Sequence, residues 1–247
     1  MKIGIIGGTG LEKLELFKDP KRVDISTDYG QPSSPFTKIS AKDKELYILS
    51  WHGNNHSIAP THVNNRANIK AFEKLGVDLI IATTACGSLR QEIGIGDFVV
   101  PDQFIDFTRH RKVTFFDSFE AHGMQHVAMP EPFDKDIRKA IIAKATEKKE
   151  KVHQQATVVT IEGPRFSTRA ESRMFRTWGA DIINMSSAPE VILANEKNIP
   201  YAALAISTDY DSWKEDGQHA TIDEILRVFR GRIEAVKDLL AEIIISL

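Results

Sequence analysis

Two carboxylates near the C-terminal end of this chain have the spacing of a hydrogen-bonding site. Asp209 and Asp211 come shortly after the apolar run of residues 201–206, which predicts a buried strand. Residues two apart on an extended chain point to the same side, so both carboxylates could accept hydrogen bonds from one ligand. A 6-aminopurine offers two donors, its N6 amino group and a protonated N7, whereas a 6-oxopurine would require a donor from the protein. The same two residues could equally be solvated acids of a turn.

A glycine loop is a second candidate site, in this case for an anion. The apolar run of residues 3–6 ends in Gly7-Gly8-Thr9-Gly10, and such loops present backbone N–H groups to anions. The glycines do not fit G-x-G-x-x-G, and the chain contains no G-x-x-x-x-G-K-[ST] sequence. The loop therefore favours neither a dinucleotide nor a nucleoside triphosphate.

Other reactive side chains give weaker signals. His52 and His56 flank a glycine after the apolar run of residues 45–50, but no third ligand lies near them in the sequence, so we expect no metal. Cys86 has no His/Asn arrangement that would indicate a nucleophile, and a lone buried cysteine is the commoner case. Ser186, at the start of a predicted helix, could either cap that helix or bind an anion.

These residues require a scaffold that brings strand ends together. Residues 103–130 are expected to form a long irregular insert. The order of the other elements indicates an α/β fold, in which ligand sites lie at the carboxyl ends of the strands. Apolar runs predict strands at residues 3–6, 45–50, 77–82, 96–101, 156–161, 180–184 and 201–206, and helical spacing predicts helices at residues 63–75, 134–151 and 168–178, with two more beginning near residues 185 and 221.

Length and composition limit the kinds of protein to which the chain could belong. With 247 residues, 42% of them hydrophobic, residues 1–247 are expected to form a single domain. A net charge of -2 provides no general attraction to nucleic acid or to an anionic membrane, which favours a small-molecule ligand. The single cysteine and the lack of a signal sequence or long apolar span lead us to expect a soluble cytoplasmic protein.

Motifs at the predicted strand ends, taken in order, resemble one enzyme family over essentially the whole chain. They are GGTG (residues 7–10), TTACGSL (83–89), VTIEGPRFS (159–167), MFRTWGAD (174–181), NM (184–185) with PE (189–190), and TDYDSW (208–213). This set is similar to the trimeric purine nucleoside phosphorylases, and most similar to their 5'-methylthioadenosine phosphorylase branch. The resemblance implies a single-domain α/β fold, with a mixed β-sheet flanked by helices, and a homotrimer with its sites near the subunit interfaces.

The resemblance also implies a reaction. Phosphate attacks C1' of 5'-methylthioadenosine and releases adenine and 5-methylthioribose 1-phosphate, with inorganic phosphate as co-substrate and no cofactor. The transition state has oxocarbenium character, so the protein must stabilise the charge that enters the purine and hold the phosphate beneath the sugar. A nucleoside, phosphate and further copies of the chain are the only partners that the resemblance implies.

Roles for individual residues follow from the same resemblance. Asp209 would bond the purine at N7 and support its protonation, and Asp211 would help to read the 6-amino group. Asp209, Ser186 and His52 are expected to be the catalytic residues. The phosphate pocket is matched by Thr9, His52, Thr84, Ala85 and Ser186, the ribose contact by Met185, the purine pocket by Phe166 and Ser167, the 5'-methylthio wall by Ile222, Ile225 and Leu226, and a histidine lent by a neighbouring subunit by His126.

Two positions decide how closely the chain follows the family. Relatives that prefer a 5'-hydroxyl carry a histidine where this chain has Ile222, and an apolar side chain favours a thioether there. Where the family has R-H-G, this chain has Trp51-His52-Gly53. The change removes a charge-assisted phosphate contact of about 1.5–3 kcal/mol, for which another cation or backbone N–H groups would have to compensate.

Three other functions stay open from the sequence. The chain could act on 6-oxopurine nucleosides such as methylthioinosine, or it could be a nucleoside hydrolase that needs no phosphate. The change at Trp51 also leaves open a non-catalytic purine-binding protein. The identity of the base released and the dependence on phosphate would separate these possibilities.

Overall fold

The described part of the chain forms one mixed β-sheet with helices on both faces. The computed structural model describes residues 1–7, 18–41, 43–215 and 221–247. The strands are β1 (Lys2–Gly7), β2 (Lys18–Val23), β3 (Phe36–Ala41), β4 (Lys44–Ser50), β5 (Leu79–Ser88), β6 (Phe98–Val99), β7 (Gln103–Phe107), β8 (Val152–His153), β9 (Thr157–Ile161), β10 (Ile182–Asn184) and β11 (Tyr201–Tyr210). The helices are α1 (Asn65–Leu75), α2 (Phe119–His122), α3 (Lys135–Glu147), α4 (Arg169–Thr177), α5 (Ser187–Glu196) and α6 (Ile222–Ser246).

Strand β5 is the centre of the sheet because it pairs with three other strands. It runs parallel to β1 and β11 and antiparallel to β10. From β1 the sheet continues through β4, β3 and β2, from β10 through β9 and β7, and from β11 through the short strands β6 and β8. Parallel and antiparallel pairs both occur, so the predicted α/β fold with a mixed sheet and flanking helices is confirmed.

The continuous apolar run of β11 is explained by burial on both faces of the sheet. Alternate residues of a strand point to opposite faces. Ala203 and Ala205 belong to the core that includes residues of α1 and α5, whereas Leu204 and Ile206 belong to the core that includes residues of α3 and α6. With helices on both faces, the strand has no solvent side on which polar residues could alternate.

Two helices beside the site begin where their capping signals predict. Thr168 accepts a hydrogen bond from the backbone N–H of Glu171, and the Glu171 side chain accepts one in return, which starts α4. Thr221 and Glu224 start α6 in the same way. Although α6 has 25 residues, none of the helices in the described ranges is long and apolar enough to cross a membrane.

Some element boundaries differ from those that the sequence predicts. Strand β5 continues to Ser88 instead of residue 82, and β11 continues to Tyr210 instead of residue 206, because the polar ends of these two strands pair with each other. The expected irregular insert begins with β7, which pairs with β9, and α3 ends at Glu147 instead of residue 151. A polar strand end carries no apolar pattern, so only its pairing partner reveals it.

Candidate active site

A cavity of about 970 Å³ lies where the carboxyl ends of β5, β10 and β11 meet the first turns of α6. Its volume is in the range of small-ligand pockets, and its position matches the strand ends at which a site was expected. Most of the predicted site residues line it. They are His52, Thr84, Ala85, Phe166, Met185, Ser186, Asp209, Asp211, Ile222, Ile225 and Leu226.

The remaining predicted residues have other positions. Thr9 lies outside the described residues, as does most of the glycine loop. Ser167 lines a smaller cavity of about 260 Å³ and donates its hydroxyl to Oδ2 of Asp211. His126 is exposed after α2, and its ring centroid lies 5.5 Å from that of Phe119. His126 does not line the large cavity of its own chain.

Asp209 and Asp211 enter the cavity together because of the way in which β11 pairs with β5. The register shifts so that Ser207 lies opposite Cys86 and Asp209 opposite Gly87. A Cβ on Gly87 would lie 3.2 Å from Oδ2 of Asp209 and 3.4 Å from Cβ of Asp211. Both carboxylates thus use space that only a glycine leaves open. Asp211 is buried and Asp209 partly buried, so they are not solvated turn acids.

The surroundings of the two carboxyl groups raise their pKa values. Burial raises the pKa of Asp209 to about 6, and the charge of Asp211 adds to the shift, while a 2.9 Å hydrogen bond from Thr208 Oγ1 opposes it. Burial also raises the pKa of Asp211, against a hydrogen bond from the Ser167 hydroxyl. A carboxyl group that titrates near neutral pH can deliver a proton and then remain as the anion, as a general acid must.

The wall beside the carboxylates is formed by the segment after β9. Ser212 Oγ donates to the carbonyl oxygen of Ser167 at 2.7 Å, which ties this segment to the end of β11. Phe166 is 46% exposed, so its ring is available to a flat ligand. Gly163 has a φ of +68°, and a Cβ there would collide with Sδ of Met185. The wall and Met185 can therefore lie side by side only with glycine at this position.

A second polar part of the cavity consists of hydroxyl groups and an amide. Thr84 Oγ1 and Ser186 Oγ lie 3.2 Å apart. Asn184 Nδ2 lies 3.4 Å from Thr84 Oγ1 and donates to Ser187 Oγ at 2.7 Å. Ser186 holds the N-cap position of α5 but forms no capping hydrogen bond through its side chain. The alternative that Ser186 serves as a cap is therefore wrong, and its hydroxyl faces the cavity.

His52 enters the cavity as a neutral side chain. Its Nδ1 lies 2.8 Å from the carbonyl oxygen of Ile58, and because a carbonyl only accepts, Nδ1 carries the hydrogen. Burial is the main cause that lowers the pKa of His52 to about 4, and nearby His56, stacked on it at a centroid distance of 3.9 Å, lowers it further. Nε2 is left as an acceptor. Within the described ranges, no group of three or more His, Cys, Asp or Glu side chains is arranged to hold a metal ion.

Trp51 lines the cavity with a packed ring. It is 6% exposed, and its indole N–H points to Oδ1 of Asn65 at 3.4 Å. The guanidinium carbon of Arg111 lies 5.9 Å from the centre of the indole ring. Trp51 therefore gives the cavity an apolar face at the position where the resemblance leads us to expect a guanidinium group.

Arg111 and Glu162 form a partly buried ion pair that the sequence did not reveal. Arg111 donates from Nη1 to the carbonyl oxygen of Met185 at 2.7 Å and from Nη2 to that of Glu162 at 2.6 Å. Burial alone would raise the pKa of Glu162, but hydrogen bonds from the backbone N–H groups of Arg109 and His110 and from the Thr61 hydroxyl hold it at about 2. The pair fixes Met185 relative to the segment after β9. Partners some 50 residues apart give no local sequence signal.

The first turns of α6 supply an apolar wall. Ile222, Ile225 and Leu226 line the cavity, and Phe229 and Ile233 continue the same face. Residues at this spacing share one side of a helix. Ile222 is 56% exposed and lies at the rim of the cavity. An apolar group that enters the cavity can therefore pack against this face of α6.

Comparison with known proteins identifies the family of this chain. The Phosphorylase superfamily profile matches residues 2–245. The S-methyl-5'-thioadenosine phosphorylase of Ciona intestinalis is 45% identical over 245 residues, which cover 98% of this chain and 88% of the relative. The protein of the same name from Xenopus tropicalis is 46% identical over 233 residues, which cover 93% of this chain and 83% of the relative.

Solved structures agree with the sequence relatives. Methylthioadenosine phosphorylase from Schistosoma mansoni in complex with adenine has a TM-score of 0.93 and 38% identity, covering 100% of this chain and 91% of that chain. A mutant adenosine/methylthioadenosine phosphorylase of the same organism, in complex with methylthioadenosine, has a TM-score of 0.91 and 39% identity, with the same coverage. The predicted family resemblance is confirmed, and this chain belongs to the phosphorylase superfamily.

Proposed function

We propose that this protein catalyses the phosphorolysis of 5'-methylthioadenosine to adenine and 5-methylthioribose 1-phosphate, with inorganic phosphate as co-substrate. The observation that carries the proposal is the cavity in which the carboxylates Asp209 and Asp211 lie together with the apolar start of α6. Two acceptors suit the amino group and the protonated N7 of adenine, and an apolar wall suits a methylthio group. Relatives named for this activity support the assignment.

The proposed reaction uses the polar groups that line the cavity. A phosphate oxygen forms a bond to C1' while the bond from C1' to N9 breaks, and the electron pair of that bond enters the purine. Asp209, which titrates near neutral pH, transfers its proton to N7 and becomes a carboxylate as adenine leaves. Asp211, oriented by Ser167, accepts from the 6-amino group. The proton of Asp209 is restored from solvent after the products leave.

Other residues bind the two substrates. Phe166 covers the base, the backbone at Met185 holds the ribose, and Ile222, Ile225 and Leu226 pack against the methylthio group. Phosphate is held by Thr84, Ala85, Ser186 and His52, and Ser186 and His52 place its attacking oxygen beneath C1'. The resemblance assigns Thr9, which lies outside the described residues, to the same pocket. The 3.2 Å approach of the Thr84 and Ser186 hydroxyls supports a shared anion between them. Relatives bind adenine and methylthioadenosine in solved structures, which supports a nucleoside as the ligand of this protein.

We further propose that residues 1–247 form one catalytic domain that assembles as a homotrimer in the cytoplasm and serves purine and methionine salvage. One sheet that joins the described strands supports the single domain. Exposed apolar side chains near His126, such as Phe119 and Met124, support burial of this segment against a second subunit. Equilibrium ultracentrifugation tests the assembly. A monomer with full activity would contradict the proposal that His126 contributes to the site of a neighbouring subunit.

One steady-state experiment tests the reaction. The purified protein is given methylthioadenosine, adenosine or methylthioinosine, with and without inorganic phosphate, and the free base is measured. Release of adenine from methylthioadenosine only in the presence of phosphate is the expected result. A strong preference for methylthioinosine would indicate a 6-oxopurine enzyme, and turnover without phosphate a hydrolase. Binding of adenine with no turnover at any phosphate concentration would indicate a non-catalytic protein.

A further inference from the structure

Glu190 is a buried acid in the large cavity that none of the proposed steps uses. It lies in the first turns of α5, one turn after Ser186, and is 2% exposed. Its Oε2 accepts a 2.6 Å hydrogen bond from the hydroxyl of Tyr201. Its Oε1 is buried and has no hydrogen-bond partner within the described residues. A buried carboxyl oxygen without a partner is unfavourable, which indicates that a ligand completes its hydrogen bonding.

Charged and titratable groups that influence Glu190 come from two other elements. Tyr201 of β11 donates to Oε2 and favours the carboxylate. Arg111, from the segment after β7, also favours the carboxylate through its charge, but its hydrogen bonds go to Glu162 and Met185. Burial outweighs both and raises the pKa of Glu190 to about 8. Glu190 is therefore protonated at neutral pH.

The nearest cation, Arg111, donates to the carbonyl oxygens of Met185 and Glu162, and the side chains that line the cavity around Ser186 are uncharged. Trp51 presents an apolar ring, and His52, whose pKa is lowered to about 4, is neutral. Thr84 and Ser186 contribute hydroxyls. An anion in such a neutral site gains most from further hydrogen-bond donors, and a protonated carboxyl group is a donor that adds no charge.

We propose that Glu190 is a phosphate-binding residue, which keeps a proton on Oε1 and donates it in a hydrogen bond to an oxygen of the bound phosphate. The inference rests on the proposed phosphorolysis and extends it to the donor that takes over from the arginine expected at Trp51. Oε2 stays the acceptor of the Tyr201 hydroxyl, so each oxygen has one partner in the complex. No covalent bond of Glu190 is formed or broken, and the proton stays on its carboxyl group.

The sign of the pH effect follows from this role. Below a pH of about 8 Glu190 carries the donated proton, and above it the carboxylate repels phosphate. The KM for phosphate should therefore rise as the pH is raised through about 8, by roughly tenfold if one hydrogen bond to a charged group is lost. The ionisation of phosphate itself is the same for every variant, so comparison between variants isolates Glu190.

The test compares Glu190→Gln, Glu190→Ala and Tyr201→Phe with the unchanged protein. KM for phosphate is measured at pH values below and above about 8, and calorimetry measures binding of inorganic phosphate to the resting protein. Gln donates at every pH, so Glu190→Gln should keep the neutral KM and lose the alkaline rise. Ala has no side-chain donor at any pH, so Glu190→Ala should raise the KM for phosphate roughly tenfold at neutral pH. Tyr201→Phe removes a bond that favours the carboxylate and should move the alkaline rise to higher pH.

Distinct outcomes would overturn the two proposals. If the unchanged protein requires phosphate but all three variants keep its KM at every pH, Glu190 does not bind phosphate and the phosphorolysis stands. If the unchanged protein turns over without phosphate, the phosphorolysis is wrong, and calorimetry decides whether Glu190 still contributes to anion binding. Should the Glu190 variants fail to fold, an unshifted alkaline rise in Tyr201→Phe would count against the inference by itself.

Discussion

Ser167 donates its hydroxyl to Oδ2 of Asp211 and so gives the two carboxylates of the site different environments. Ser167 is itself held by Ser212, so Asp211 is oriented before a ligand arrives. Burial raises the pKa of Asp209 to about 6, and the hydrogen bond that opposes this shift comes from its neighbour Thr208. One acid is thus built as a fixed acceptor and the other as a carrier of a proton.

Replacing Asp209 by Asn should lower kcat for methylthioadenosine by at least ~10²-fold, because one general-acid contact is lost. The amide cannot transfer a proton to N7 and regain it. Asp136→Asn, an exposed acid of α3, is the control and should keep normal activity. Initial rates at saturating substrates measure the effect. Near-normal turnover in Asp209→Asn would remove Asp209 from the mechanism.

The same substitution should stabilise the fold above pH 6. The folded-state pKa of Asp209, about 6, lies above its ordinary value of 3.8, so its stabilising contribution is fully present below 3.8 and is lost as the pH rises through 6. Above that pH the wild-type protein must bury a charged carboxylate, whereas the variant buries a neutral amide. The free energy of unfolding of Asp209→Asn should therefore exceed that of the unchanged protein by about 1–3 kcal/mol. Urea unfolding at a pH near 8 and near 4 measures the difference. An equal difference at both pH values would contradict the assigned pKa.

Placing a methyl group on Gly87 should damage the base-binding end without unfolding the protein. The added Cβ would lie 3.0 Å from Cγ2 of Ile183 and 3.2 Å from Oδ2 of Asp209, so the carboxylate must move. We expect kcat/KM for the nucleoside to fall by about 10–100-fold in Gly87→Ala. Gly231→Ala, where nothing lies within 4 Å, is the matched control and should keep its activity. Equal activities of the two variants would show that Gly87 is not needed for the carboxylate geometry.

The apolar start of α6 should determine the preferred 5' substituent. Ile222→His places a hydrogen-bonding group at the rim of the cavity, which favours a 5'-hydroxyl and penalises a methylthio group. The ratio of kcat/KM for methylthioadenosine to that for adenosine should fall by about tenfold or more. Ile245→His, at the distant end of the same helix, is the control for an exposed isoleucine. An unchanged ratio would mean that Ile222 does not contact the 5' group.

The sequence predicted the elements that have a strong local signal. The capping boxes at Thr168 and Thr221 start their helices as expected, because both partners lie within one turn. The polar ends of β5 and β11 were missed, because their backbones are ordered by pairing with each other across more than 100 residues. The ion pair of Arg111 and Glu162 was missed for the same reason.

By itself, then, the sequence determined the α/β architecture, the approximate positions of the inner strands and the chemical types of the groups at their ends. Those properties depend on local periodicity and on side-chain chemistry. Only the tertiary structure decided that Asp209 and Asp211 share one cavity beside Gly87, that Ser186 faces this cavity without capping α5, and that the acid Glu190 is buried there. Burial and long-range contacts decide protonation and orientation, because the free energy of a charge depends on everything that surrounds it.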